Sequence, residues 1–321
     1  MADVKISGLP ASTTPLDGTE VLPIVQGTTT KQVSVANLTA GRPITTSGLT
    51  LTGVTFANLP AASGVSGQIY KVTDVGPTGS LWQSNGTTWS LVNGQSLLFE
   101  TNIPFIFISS GSIGNNGALS AITAVPNTYP SAYCYFPANA IAAGVAAGWY
   151  YTVFSSTTAG TIYNNTYTTG QPIIPTSPTA FATTGPGAYT QTTGSQITGV
   201  QYVLPANVMG TTGSVVQHVD SMLLSNANGK YIRLTAGGNA NGGTVNAANQ
   251  GAYSIESIFG NRNAANIQIA THYTWPGIIT NAVYRTIDTT ATVTFAYTFQ
   301  TATATDYMVQ ETYRVSLLKN Q

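Results

Sequence analysis

A period of two runs through the C-terminal part of the chain. In ATVTFAYTF (Ala291–Phe299), Val293, Phe295, Tyr297 and Phe299 share one side, and Thr292, Thr294, Ala296 and Thr298 the other. Strict alternation of this kind predicts a strand with one buried face. MVQETYRVSLL (Met308–Leu318) repeats it through Val309, Tyr313, Val315 and Leu317, with Glu311 as the exception. With QTATATDY read as a connection, the two are expected to be neighbouring antiparallel strands. Ser214–Leu234 reads as a second hairpin, turning at Asn226–Gly229, because Asn and Gly tolerate positive φ. The Gly/Asn-rich stretch Thr235–Gln250 then reads as a flexible, polar connection. Its glycines lack the spacing, the Lys and the following helix of a phosphate loop.

Two more units read as β structure upstream. Gly18–Val35 offers two short strands around a Gly/Thr turn. Gly67–Gly94 contains a strand at Ile69–Val75 and a hairpin, LWQSNGTTWSL, with Asn85-Gly86 as a two-residue turn. That register sets Trp82 opposite Trp89, an aromatic cross-strand pair better read as structural than as ligand-binding. Helical periodicity is nearly absent, while Thr, Val, Ile and Tyr are cut by Gly and Pro. The fold class expected is therefore all-β. The expected organisation is an N-terminal anchor (1–42), a Thr/Gly/Ser-rich neck (43–66), a small β module (67–95), a β-rich middle region (96–184) and a C-terminal β-sandwich head of jelly-roll-like type (185–321).

Composition adds a constraint. Of 321 residues only 6% are charged, and ten acids balance ten bases, against about 25% charged residues in an ordinary domain. Residues 101–219 contain no Asp, Glu, Lys or Arg and only one histidine, His218. A chain that is 42% hydrophobic is not disordered by composition, so its polar surface must come from Thr, Ser, Asn and Gln. No basic footprint for nucleic acid is present, and the most apolar run, Ala140–Tyr151, is too short for a membrane span. No apolar leader is visible at the N-terminus. The single cysteine, Cys134, reads as a buried small apolar residue and allows no intrachain disulfide.

Catalysis needs groups that titrate or coordinate, and few are on offer. His218 and Asp220 in HVD share one side of a strand about 7 Å apart, the strand repeat, but without a G-x-S-x-G elbow. They read as a polar pair at a subunit or solvent surface. No cluster of metal ligands occurs, and no cofactor is expected. A glycosidase would have to draw two carboxylates from Asp220, Glu256, Asp288, Asp306 and Glu311. Glycan binding without hydrolysis fits better. THYTWPG groups His272, Tyr273 and Trp275 before Pro276-Gly277, an aromatic loop of the kind on which sugars stack, with an interior or interface cluster as the competing reading.

KISGLPASTTPLDGTEVLPIVQGTTTKQVSVANL (Lys5–Leu38) resembles the opening segment of many tailed-bacteriophage fibre and virion-surface proteins. The likeness is carried by Ile6, Leu9-Pro10, Leu16, Gly18-Thr19-Glu20, Pro23, Val25-Gln26, Thr30-Lys31 and Leu38. The resemblance implies virion docking through residues such as Leu9, Pro10, Leu16, Glu20, Pro23 and Val25. Gly67–Gly94 is similar to a small β module that often succeeds this segment; GPGAYTQTTG, LPANVMGTTGSV, SNANGKYIRLTAGG and Ile287–Leu318 resemble a fibre-end β-sandwich, and the middle region resembles fibre sequences loosely, chiefly through AGWYYTVFSSTTAGTIYNNTYTTG. The likeness implies a non-enzymatic virion protein, made in the host cytoplasm, with no nucleic-acid partner and no membrane insertion. Its partners would be itself as a homotrimer, capsid, portal/adaptor or tail proteins, and a host-surface glycan. A capsid decoration or head fibre, and a glycan-cleaving tailspike, are the alternatives.

Overall fold

The computed structural model describes residues 21–26, 29–34, 51, 53–127, 129–182, 185–191, 194–241, 245–275 and 281–318. Among these the regular elements are twenty-four β-strands and a few 3-10 turns, with no α-helix. The chain divides into two compact units, Met1–Leu51 and Thr52–Gln321.

In the first unit, β1 (Val21–Gln26) and β2 (Thr29–Ser34) form the antiparallel pair that the sequence predicts, with Pro23 registered on Gln32 and Val25 on Thr30. A two-stranded pair always leaves an outer edge, where the missing proline N–H is tolerated. Leu9, Pro10, Leu16 and Glu20 lie outside the described residues.

The second unit begins with a four-stranded sheet ordered β3 (Gly53–Val54), β4 (Ile69–Val72), β5 (Ser80–Ser84), β6 (Trp89–Leu91). Here the expected tryptophan pair does not form: Trp82 is registered on Leu91, and Ser84 on Trp89. The reason is local. The Asn85 carboxamide oxygen accepts the backbone N–H of Thr87 (2.9 Å) and of Thr88 (2.8 Å), which makes the turn four residues long instead of two. Trp82 instead sits fully buried, edge-on to Phe56 at 4.9 Å, while Trp89 packs edge-on to Tyr70 and donates to the Pro60 carbonyl at 3.0 Å.

Then come β7 (Gln95–Thr101), β8 (Phe105–Ile108), β9 (Ser110–Ile113), β10 (Ala118–Ser120), β11 (Ala132–Phe136), β12 (Gly148–Ser156), β13 (Ala159–Tyr167) and β14 (Gly187–Thr190). The C-terminal strands are β15 (Ile197–Leu204), β16 (Ser214–Leu223), β17 (Lys230–Ala236), β18 (Asn239–Ala240), β19 (Val245–Asn246), β20 (Ala252–Asn261), β21 (Gln268–Trp275), β22 (Asn281–Arg285), β23 (Val293–Thr301) and β24 (Tyr307–Leu318). They make a β-sandwich. The larger sheet runs β14-β9-β10-β13-β12-β11-β8-β24-β16-β20-β21-β22, with β7 also on β24; the smaller runs β15-β23-β17-β18, with β19 on β17. β17 therefore carries pairing from the stretch expected to be a plain flexible connection.

β24 joins what the sequence divides at residue 184. Its first half pairs with β8, its second half with β7, and its other edge with β16. The middle region and the head consequently share one sheet. They share a core as well: Phe107 stacks on Phe299 and Trp149 packs against Phe299 at 5.4 Å. Such aromatic contacts add to the area they bury.

This placement accounts for the lack of charge in two strands of the charge-free segment. In β8, FIFI, all four side chains are buried: Phe105 and Phe107 belong to the core between the sheets, Ile106 and Ile108 to a second core on the opposite face. β11 does the same, with Tyr133 inward and Cys134 and Phe136 in the second core. Strands covered on both faces read as unbroken apolar runs and leave no wet side for a charge. Burial pushes the Cys134 thiol up to about 12, against a hydrogen bond to Thr152, as befits a small buried apolar side chain.

Two expected hairpins are instead arches between the sheets. β16 lies in the larger sheet and β17 in the smaller; β23 lies in the smaller and β24 in the larger. The two arch loops meet around a buried ion pair. Lys230 Nζ lies 3.7 Å from Asp306 Oδ2, both side chains fully inaccessible. Lys230 Nζ donates to Asn226 Oδ1 (2.5 Å) and to the Asn228 carbonyl (3.0 Å), while the Asn226 and Asn228 amides donate to Asp306 Oδ1 at 2.8 and 3.1 Å. Burial lowers the Lys230 pKa, and Asp306 opposes that shift.

Candidate functional site

The outer face of the larger sheet gathers several of the head's few ionisable groups. Along β16, SVVQHVDSML, burial alternates: Val215, Gln217, Val219, Ser221 and Leu223 point inward, and Val216, His218, Asp220 and Met222 outward. Register then lines up two rows across adjoining strands. One row runs Glu100, Arg314, His218, Glu256, Tyr273. The next runs Thr312, Asp220, Ser254, Trp275.

In the first row, Arg314 Nη2 meets Glu100 Oε1 at 2.5 Å. His218 Nδ1 lies 3.9 Å from Glu256 Oε2 and its Nε2 lies 3.3 Å from Asp220 Oδ2. Both ring nitrogens thus face carboxylates, an arrangement that holds the imidazole between acids instead of aiming it at a nucleophile. The HVD pair of the sequence is in direct contact. Among the described residues no three His, Cys, Asp or Glu are placed to hold a metal ion.

In the second row Asp220 is worked on from several sides. Burial raises its pKa, but hydrogen bonds from Thr312 (2.7 Å) and Ser254, with His218 alongside, outweigh burial and hold the carboxyl below its usual range. Glu311, the exception to the β24 pattern, is the extra residue of a β-bulge: Asp220 pairs with Thr312 and Ser221 with Gln310, so Glu311 has no partner in the ladder. A bulge re-aims a side chain. Glu311 accepts the Tyr129 hydroxyl at 2.6 Å and lines, with Asp220, Met222, Tyr253, Ser254 and Trp275, a cleft of about 370 Å³.

The three aromatic-loop residues are not one group. THYTW is the end of β21, and a strand separates neighbours to opposite faces. Tyr273 (44% exposed) and Trp275 (72% exposed) stand outward, whereas His272 is 2% exposed and faces the core. His272 is therefore withdrawn from the candidate contact surface. Pro276 and Gly277 lie outside the described residues. Sequence reasoning missed Met222, Tyr253 and Ser254 as cleft residues, because only the strand order sets them beside Trp275. Glu311 was signalled by its break in the alternation.

His272 closes an inward polar row, Gln217–Ser257–His272, on three neighbouring strands. Gln217 Nε2 donates to the Tyr313 hydroxyl (2.8 Å), and the Asn241 amide donates to Gln217 Oε1 (2.7 Å). Burial lowers the His272 pKa, and the Asn241 backbone opposes the shift. A base with a folded pKa below its unfolded value, about 6.5, binds fewer protons folded than unfolded in the interval between them, so stability falls as pH drops through it. The melting temperature is accordingly expected to fall between pH 7 and pH 5, and by less in His272→Gln. Equal acid sensitivity in both proteins would assign the effect to another group.

No family model and no curated protein matches the chain. Solved structures that it resembles include plant lectins and a lectin-like defense protein. They include lectin II from Ulex europaeus (6% identity, 68% of this chain and 97% of that one, TM-score 0.26). Arcelin-5 from Phaseolus vulgaris (7%, 71% and 100%, 0.26) and basic winged bean lectin with Tn-antigen (8%, 70% and 98%, 0.26) are further examples. Likeness at this level carries nothing about function.

Proposed function

We propose that the chain is a non-enzymatic virion protein of a tailed bacteriophage, a homotrimeric fibre that docks by residues 1–42 and contacts host-surface glycan with its β-sandwich. The observation that carries the contact role is the exposed Trp275 beside Tyr273, at a cleft lined by the carboxylates of Asp220 and Glu311. Fixed aromatic faces with a few polar groups are what small-molecule sites are built from, and Trp and Tyr dominate binding hot spots. The docking role is supported by Met1–Leu51 forming a compact unit of its own and by the likeness of Lys5–Leu38 to fibre openings.

Electron microscopy of particles carrying a gold label on the chain's C-terminus tests the reading. The expected result is label on tail-borne projections, with native mass spectrometry of the purified chain giving three copies. Label on the head would assign the head-fibre role; absence from particles, or a monomer at micromolar concentration, would overturn the fibre.

A further inference from the structure

We propose that the Trp275 cleft takes a sugar bearing only neutral or amine substituents and rejects anionic sugars, an inference that rests on the cleft being the glycan-contact surface. Among the described residues of its lining, two are carboxylates, Asp220 and Glu311, and none is Lys or Arg. The nearest arginine in register, Arg314, is bound to Glu100 and lines the neighbouring groove together with His218 and Glu256. A ligand entering the cleft therefore meets acceptors without a cation to balance an added negative charge.

The placement is built into the fold. Asp220 is oriented by the Thr312 hydroxyl at 2.7 Å, which leaves it little freedom to swing away from an incoming anion. Tyr129 holds Glu311 at 2.6 Å. Hydroxyl and ammonium groups would donate to these oxygens, and donors to carboxylates make the stronger hydrogen bonds. Met222 and the open face of Trp275 cover the ring's apolar side, and an amine over the indole gains further from cation–π attraction. A volume of about 370 Å³ lies within the roughly 300–1,000 Å³ of small-molecule sites. A uronate, sialate or phosphorylated sugar would have to bring its charge to two carboxylates in a partly desolvated cleft, where repulsion is screened less than in water.

The test uses the full chain on a printed array of bacterial surface glycans sorted into neutral, amine-bearing and anionic members. Wild-type protein is expected to bind neutral or amine-bearing members at least about tenfold more strongly than anionic ones, a difference of about 1.4 kcal/mol. Glu311→Gln, and separately Asp220→Asn, should narrow that ratio while leaving the melting temperature within a few degrees; Trp275→Ala should remove binding to all members. Anionic members bound as strongly as the others by the wild type, or a ratio that neither substitution narrows, would overturn the charge rule and leave the glycan reading standing. Wild-type binding to no member, or binding that Trp275→Ala leaves intact, would overturn the glycan reading and the charge rule with it.

Discussion

Asp306→Ala is expected to destabilise the sandwich by about 3–5 kcal/mol, the range for removing one partner of a buried ion pair. The substitution leaves Lys230 fully inaccessible and without its counter-charge. It also removes the acceptor of the Asn226 and Asn228 amides, which hold the first arch loop. Both sheet crossings, β16 to β17 and β23 to β24, meet at this point, so the loss falls on the connections that make a sandwich out of two sheets. Chemical denaturation of the purified chain reads the effect. Lys230→Met combined with Asp306→Leu should recover much of the loss, since apolar replacement of a whole buried pair is often neutral or better. Full stability in Asp306→Ala would show that the pair does not hold the arches.

Trp149→Ala should cost about 3–5 kcal/mol, the usual penalty for emptying a buried Trp site. Trp149 touches Phe105, Tyr135 and Phe299, and its indole N–H donates to the Thr198 carbonyl at 2.7 Å. The side chain comes from the charge-free segment, and Phe299 from the smaller sheet. Calorimetry should therefore show the variant melting earlier in a single step, with the middle region and the head together. Two separated transitions, only one of them shifted, would mean that the segments fold independently despite their common sheet.

The sequence made the faces of the strands legible, but not their partners. Alternation in Ala291–Phe299 picked out Val293, Phe295, Tyr297 and Phe299 as a buried face, because burial of one face imposes period two on any strand; Ala296 and Thr298 on the other side are buried as well. The same pattern arises whether the next strand pairs beside it or crosses to the other sheet. Asn226–Gly229 has hairpin chemistry and forms an arch. What distinguishes the arch is a long-range event, the contact of Lys230 with Asp306, which no local window contains. The tryptophan hairpin failed for a smaller reason. Asn85-Gly86 is a turn signal, but the Asn85 carboxamide found two N–H groups and lengthened the loop, and a two-residue change of turn length moves every cross-strand pair. The candidate site was half legible. Trp275, Tyr273, Asp220 and Glu311 each drew notice from residue type or broken periodicity, whereas Met222 and Tyr253 join them only through the order β24-β16-β20-β21. His272 shared a motif with the aromatic pair and, one residue away on a strand, shares no surface with it.

In the proposed function, the outer sheet face around Trp275 is what touches the host. Adsorption to host cells of phage carrying the wild-type chain or Trp275→Ala tests it most directly, with the melting temperature of each purified chain as control. At 72% exposure Trp275 contributes little to the core, so the melting temperature should stay the same, and adsorption should fall by about tenfold, equivalent to about 1.4 kcal/mol. Undiminished adsorption by a folded Trp275→Ala chain would contradict the account, and so would a variant that fails by unfolding or by losing its oligomer, which would place Trp275 in the core or an interface.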